Sequence, residues 1–348
     1  MQVEAVETSD EVELGQQEIV KKDKPRRLLS IVTPAYNEAE NLPQLYERLT
    51  GMMASVDINW EWIVVDDHSS DGTFGVVSKL AGHDPRIRCV RFARNFGSHK
   101  AITCGLHQAR GNCAVILAAD LQDPPELLPE LLAEWERGMQ VVWAVRAQRE
   151  GERADTIGFA QLYYWLMRNV VGIREIPATG ADFFLADYRV LDAFRQFSES
   201  NVSILALITW MGFRQATVTY NKQARLHGQS GWNLEKKLKL VVDSVTSFTY
   251  MPIRMMSYVG FVIACLGFLY AIWVITNGII GNPIQGWSSL MVVVLFVGGM
   301  QMLMMGVLGE YLWRALDESR RRPPYIIEAN IGRFRPVSMV DRDQTGPQ

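Results

Sequence analysis

The sequence predicts an α/β domain built on a doubly wound, mostly parallel sheet, followed by two membrane-spanning helices. Three observations carry this. Apolar runs alternate with amphipathic segments through the first half of the chain. Each run ends in a polar cluster, and sheets of this kind gather ligands outside the carboxyl ends of their strands. From Met255 to Gly309 there is no Asp, Glu, Lys, Arg or His, a length that suffices for two spans of about 20 residues each. The 348 residues leave room for one good-sized domain and this smaller membrane part.

Residues 1–27 are polar and charged, carry no secretory signal and read as a disordered tail. Strands are expected at Leu28–Thr33, Trp60–Val65, Ile87–Phe92, Cys113–Ala118 and Val141–Val145, with helices at Ala39–Met53, Thr73–Ala81 and Ser98–Ala109. The domain so formed is bounded at 28–233. Leu162–Val171 and Leu234–Tyr250 read as amphipathic helices that either lie in a membrane interface or pack as ordinary core helices, and the second of them sets off an interface segment, 234–254. In the hairpin, 255–313, Asn277-Gly278 and Gly281-Asn282-Pro283 separate a span near Tyr258–Ile275 from one near Ser288–Leu308. Arg254, Arg314 and Arg320-Arg321-Arg322 flank the pair on one side only, which puts both termini, including the tail 314–348, in the cytoplasm. A buried hairpin in a soluble protein is the alternative, but core helices are rarely so long and uniformly apolar.

The 35 basic and 38 acidic side chains nearly balance, at a net charge of −3. The basic clusters at Lys236-Lys237, Lys239 and Arg320–Arg322 lie beside the membrane segments, so they favour an anionic membrane face over nucleic acid. Cys89, Cys104, Cys113 and Cys265 show no metal-like spacing and read as reduced structural thiols. No GxGxxG or GxxxxGK[ST] occurs, which argues against a dinucleotide fingerprint or a P-loop.

The most informative cluster is Asp120-Leu121-Gln122-Asp123-Pro124-Pro125-Glu126. Hard oxygen donors at a strand end suit Mg²⁺ or Mn²⁺, ions that keep waters and bind substrate phosphates. Asp123 before Pro124-Pro125-Glu126 is equally a helix cap, and the two readings are compatible. For Asp66–Thr73, a loop leading into a capped helix is the alternative to a binding role.

Thr33-Pro34-Ala35-Tyr36-Asn37-Glu38, Val65-Asp66-Asp67-His68-Ser69, Asp71-Gly72-Thr73, Arg94-Asn95-Phe96-Gly97 and the Asp120 cluster follow one another in order. They continue through Gly180-Ala181-Asp182-Phe183 and Arg225-Leu226-His227-Gly228-Gln229-Ser230 to the two spans. This ordered set, over roughly residues 28 to 315, resembles family 2 glycosyltransferases of the polyisoprenyl-phosphate type, the dolichol-phosphate mannose synthase-like enzymes. The resemblance implies a GT-A (Rossmann-like) fold, a nucleotide-sugar donor and a lipid-linked phosphate acceptor.

By that resemblance, Asp67 accepts from a ring N–H of the base, with Asp66, Pro34, Tyr36 and Glu38 lining the same pocket and Asn95, Lys100, Arg225 and Ser230 completing the donor surface. Ala118 stands at the first position of the family's Asp-x-Asp motif, which leaves Asp120 and Gln122 to hold the metal with Asp123 behind them. Arg225 would clamp the diphosphate, or simply be solvated in a Gly-rich loop. Arg146 and Arg149, with Arg153, would hold the acceptor phosphate, or form a solvated loop with Glu150 and Glu152. Asp182 is assigned to positioning the sugar or acceptor, so the residues expected in catalysis are Asp120, Asp182 and Arg225.

The Arg94-Asn95-Phe96-Gly97 and Asp120–Glu126 wording with two spans is similar to the bacterial undecaprenyl-phosphate glucosyltransferases. This implies inverting transfer of glucose from UDP-glucose to a polyprenyl phosphate, in a homo-oligomer and by analogy a tetramer. Aminoarabinose, N-acetylglucosamine and GDP-mannose donors remain open. So does a second class, a hydroxyl-accepting transferase or a nucleotide-binding membrane component, although the Gln-x-x-Arg-Trp motif of processive relatives is absent.

Overall fold

The structure, a computed structural model, describes residues 27–147, 165–169, 183–197, 202–221, 241, 245–246, 248–280 and 286–332. Its centre is four parallel strands, β1 (Leu28–Ala35), β2 (Asn59–Asp66), β3 (Ile87–Phe92) and β4 (Cys113–Ile116). Each is nearly continuous in apolar residues because both faces are covered. Alternation along the strands divides these residues between two cores. Leu29, Ile31, Trp62, Val64, Cys89 and Val115 face α1 (Asn41–Met53), α2 (Thr73–His83) and α4 (Leu128–Glu136). Val32, Ile63, Val65, Val90, Ala114 and Ile116 face α3 (Ser98–Gln108), α5 (Tyr188–Phe194) and α6 (Ile204–Trp210). Helix α3 approaches β1 so closely that a Cβ on Gly105 would lie 2.1 Å from Cγ1 of Val32, so only glycine fits there.

Beyond β4 the sheet continues through β5 (Val141–Arg146), β6 (Phe184–Asp187) and β7 (Gln215–Tyr220), and with β8 (Ile327–Ile331) on the far side the order is β7-β5-β6-β4-β1-β2-β3-β8. Strand β6 runs antiparallel to both β4 and β5, while β5 and β7 are parallel. The direction of winding reverses between β1 and β4, and the loops after Ala35 and Ile116 therefore flank the switch point where such sheets bind ligands.

Two long helices follow, α7 (Met251–Ile279) and α8 (Trp287–Ser319). They are candidate membrane spans, and no residue of their most apolar windows is buried. At 1.5 Å per residue they reach about 43 and 49 Å, longer than the bilayer core, so each carries its flanking residues beyond it. The Tyr311 hydroxyl donates to the Thr249 carbonyl at 2.9 Å, which pins the start of α7 to the later part of α8 as an antiparallel hairpin. Arg254, packed over Tyr250, and Arg314 and Arg320, the latter over Trp313, mark that same end.

The chain then returns to the sheet. Strand β8 (Ile327–Ile331) pairs antiparallel with β3, Ile327 opposite Phe92 and Ile331 opposite Cys89. Sequence reading set 314–348 apart from the α/β domain as a tail, whereas Ile327–Ile331 is its edge strand. Because β8 begins beside the carboxyl end of β3, the arginine-flanked end of the hairpin adjoins the edge where the β1–β4 loops emerge. Of the two expected amphipathic helices, residues 165–169 and 245–246 are helical and most of the rest lies outside the described residues. Cys89, Cys104 and Cys113 are buried and unpaired, and burial pushes the Cys104 thiol up to about 12.

Candidate active site

Each of the four loops leaving the carboxyl edge of β1–β4 turns on one residue in the left-handed region: Asn37 (φ 57°), His68 (61°), Gly97 (92°) and Leu121 (59°). Three are not glycine, and Leu121 is a bulky side chain in a conformation L-residues avoid. Its burial in the core holds the backbone there.

The first two loops are laced together. Asn37 N–H donates to Ser69 Oγ (2.9 Å), and Asn37 Oδ1 accepts from Ser70 N–H (2.9 Å). Glu38 N–H donates to Thr73 Oγ1 (2.9 Å), and Ala39 N–H to Asp71 Oδ2 (3.1 Å). Burial raises the Asp71 pKa, but donors from the Thr73 hydroxyl and N–H and from Ala39 outweigh it and leave the carboxyl below its usual range. Pro34 is half-buried, Tyr36 exposed, and Glu38 accepts from the Asn41 amide at 2.5 Å.

Asp67 ties the second loop to the third, its two oxygens accepting from the N–H groups of Phe96 (2.6 Å) and Gly97 (2.8 Å). Burial raises its pKa, opposed by those two donors. The carboxylate thus fixes the loop that carries Asn95, which is exposed, and the start of α3, which carries Lys100. Each oxygen keeps a second lone pair for a ligand. Asp66 has no exposed surface; Oδ1 accepts from Ser69 N–H (2.9 Å) and Oδ2 from Arg91 Nη1 (3.0 Å). Among the residues the sequence reading placed along the pocket, Asp66 is thus turned to Ser69 and Arg91 and has no surface of its own.

At the switch point, Asp120 is buried beside the half-buried Gln122, whose N–H donates to Asp120 Oδ1 at 3.2 Å. No three His, Cys, Asp or Glu side chains converge on a metal-sized space among the described residues. The protein donors here are a carboxylate and an amide oxygen, a set suited to an ion that takes its remaining ligands from water and phosphate. Asp123 does not cap the following 3₁₀ turn, Pro125–Leu127, whose N-cap position is Pro124. It accepts instead from the Tyr220 hydroxyl (2.5 Å), far away in sequence on β7. Arg146 stands opposite Tyr220 across β5 and β7, and its charge works against the rise of the Tyr220 pKa. Burial, then the Asp123 charge, raise the Tyr220 pKa and keep it a phenol. Glu126 is held by a two-pronged bond from Arg48, Nε to Oε1 (3.0 Å) and Nη2 to Oε2 (2.6 Å), which keeps its carboxyl below the usual range.

The structure therefore gathers Pro34, Tyr36, Glu38, Asp66, Asp67, Asn95 and Lys100 around the ends of β1–β3, and Asp120, Gln122 and Arg146 around the ends of β4 and β5. Arg149, Asp182, Arg225 and Ser230 lie outside the described residues. Tyr220 and Arg91 were not legible as candidate site residues, because each sits in a strand and gains its meaning from partners distant in sequence.

Residues 30–193 match Glycosyl transferase family 2, and residues 251–314 match the GtrB C-terminal hairpin. The chain is 38% identical over 304 residues to the uncharacterized glycosyltransferase YkcC of Bacillus subtilis, across 87% of this chain and 94% of that protein. It is 34% identical over 301 residues to the bactoprenol glucosyl transferase of Shigella phage SfV, across 86% and 98% respectively. Among solved structures it is similar to glucosyl-3-phosphoglycerate synthase from Mycobacterium tuberculosis, with a TM-score of 0.46 and 16% identity over 64% of this chain and 79% of that one. The two family models and the curated relatives agree with the sheet, the ordered loops and the hairpin: the chain belongs to glycosyl transferase family 2 and is a glycosyltransferase with a C-terminal membrane-type hairpin of the GtrB kind.

Proposed function

We propose that this enzyme transfers glucose from UDP-glucose to a polyprenyl phosphate, such as undecaprenyl phosphate, with inversion at the anomeric carbon and at the cytoplasmic face of the membrane. The observation that carries the reading is the register of β8, which sets the arginine-flanked end of the hairpin beside the loop-bearing edge of the sheet. A lipid phosphate whose tail stays in the bilayer meets the protein at that edge. The match to a protein named bactoprenol glucosyl transferase over 86% of the chain supports the acceptor class.

In this reading Asp67, with Pro34, Tyr36, Glu38, Asn95 and Lys100, receives the nucleoside, and Arg225 and Ser230 take the diphosphate. Asp120 and Gln122 hold Mg²⁺ or Mn²⁺, which when bound offsets the charge of the diphosphate as it leaves. Arg146, placed by Tyr220, and Arg149 hold the lipid phosphate near the anionic donor. With a second pKa near 6 that phosphate is largely dianionic at neutral pH, so it attacks without a general base. Asp182 aligns sugar or acceptor rather than taking a proton. Both termini are cytoplasmic, and the assembly is a homo-oligomer, a tetramer, which crosslinking in membranes that yields only monomer would reject.

The test is transfer of labelled sugar by the purified full-length protein to undecaprenyl phosphate, with and without Mg²⁺ or Mn²⁺. UDP-glucose, UDP-N-acetylglucosamine, GDP-mannose and a UDP-aminoarabinose are compared. Metal-dependent, lipid-extractable product from UDP-glucose is expected. Product from another donor alone changes the sugar, and product only with a hydroxyl acceptor overturns the reading.

A further inference from the structure

Arg91 is the hub of a contact set that joins two distant parts of the chain. Its Nη1 donates to Asp66 Oδ2 (3.0 Å) and its Nη2 to the Ser69 carbonyl (3.2 Å), so it holds both the buried acid and the loop that follows β2. Its Nε donates to Glu328 Oε2 (3.0 Å), on the strand that returns from the membrane hairpin. The same oxygen lies 3.6 Å from His68 Nδ1, at the left-handed turn of that loop. The loop is in turn bonded to the Asn37 turn through Ser69 Oγ. Strand β8 is anchored independently of Glu328: Tyr325 is buried and stacks on Phe92 at 5.1 Å, and Ala93 N–H donates to the Ile326 carbonyl at 2.9 Å.

We propose that Glu328 is a positioning residue for the nucleotide half of the donor site: through Arg91 it sets the Asp66–Ser69 loop. The element following the hairpin is thus a working part of the donor pocket and links membrane seating to nucleotide affinity. The two Arg91 bonds to Asp66 and Ser69 fix two edges of the guanidinium, and Glu328 fixes the third. Without Glu328 the plane keeps only the Phe74 ring, its centroid 5.5 Å from the guanidinium carbon, and the two loop bonds to set its tilt, and both loop contacts shift with it. Glu328 is half-exposed, so its removal costs the fold little. This inference rests on the assignment of the β1–β3 edge as the nucleotide pocket.

The experiment titrates UDP, with GDP beside it, into the full-length protein in detergent by calorimetry, for the wild type, Glu328→Gln and Glu328→Asp. Donor KM, kcat and thermal midpoint are read on the same samples. Expected are a UDP Kd and donor KM raised about threefold to tenfold in Glu328→Gln, partial recovery in Glu328→Asp, and kcat at saturating donor within twofold. Unchanged UDP affinity in Glu328→Gln, with the wild type binding normally, overturns the inference alone. Parallel falls in kcat and midpoint overturn it in favour of a merely structural strand. A wild type that binds neither nucleotide rejects the pocket assignment itself and takes the inference down with it.

Discussion

Replacing Tyr220 by Phe removes a single oxygen that bonds the buried Asp123 beside the half-buried Arg146, and tests whether that oxygen places Arg146. In the intact protein the hydroxyl donates to Asp123 at 2.5 Å, with Asp123 and Tyr220 both nearly inaccessible to solvent and Arg146 opposite Tyr220 on the neighbouring strand. A hydrogen bond to a charged group contributes a net of about 1.5–3 kcal/mol. If all of it is expressed in placing Arg146 for the lipid phosphate, kcat/KM for the acceptor falls by roughly 10- to 150-fold, at about 1.4 kcal/mol per decade. Nucleotide binding is expected to change little, since the Asp67 pocket lies across β1 from β5 and β7. The assay is initial-rate transfer over a range of polyprenyl phosphate at fixed saturating donor, with UDP titration and a thermal melt as companions. An acceptor kcat/KM within twofold of wild type would refute the argument, as would a loss matched by an equal loss of UDP affinity.

Asp120→Asn keeps the size of the side chain but removes the only carboxylate assigned to the metal. Transfer is expected to fall by about 100-fold or more with the melt unchanged, and residual activity above a tenth of wild type rejects that assignment. Gly105→Ala drives a methyl group into Val32, and thermal denaturation should show a loss of about 1–3 kcal/mol. His107 is neutral in the fold, its pKa lowered to about 4 by burial and then by the Arg195 charge. The unfolded chain, with a histidine pKa of about 6.5, binds the proton first, so stability is full above that value and declines as pH falls toward 4, by up to about 3 kcal/mol. His107→Gln should flatten the melting temperature between pH 6.5 and 4, and an unaltered slope would place the acid sensitivity elsewhere.

The strands that form the parallel centre were legible because both of their faces are buried, which leaves continuous apolar runs. Ile87–Phe92 was bounded as found, and Leu28–Thr33 and Trp60–Val65 fell short of the strands by a few polar or small residues at their ends. The hairpin was legible for a similar reason, the lack of charge over a long run. Strand β8 was not. Ile-Glu-Ala-Asn-Ile is short, carries a charge and reads as tail until β3 is seen beside it. In the site, the residue types at each strand end were visible in the sequence, but their partners were not. Asp123 looked like a helix cap because Pro124-Pro125 follow it, and only the fold brings Tyr220 to it. Asp66 and Asp67 are adjacent and chemically alike, so alternation alone decides that one points to Arg91 and the other to the Phe96–Gly97 backbone.

The position of β8 after the hairpin also orders the birth of the protein. Synthesis runs from the amino terminus, and β1 to β7 leave the ribosome before either long helix. Until then β3 is an outer strand with its backbone donors and acceptors unpaired, a template for association with other chains. The strand that covers it is made only after both apolar helices. Pairing of β3 on that side is thereby deferred until the hairpin exists, and a nascent chain that stalls within the hairpin leaves β3 at the border where the finished molecule has the shorter β8, which carries the charge of Glu328.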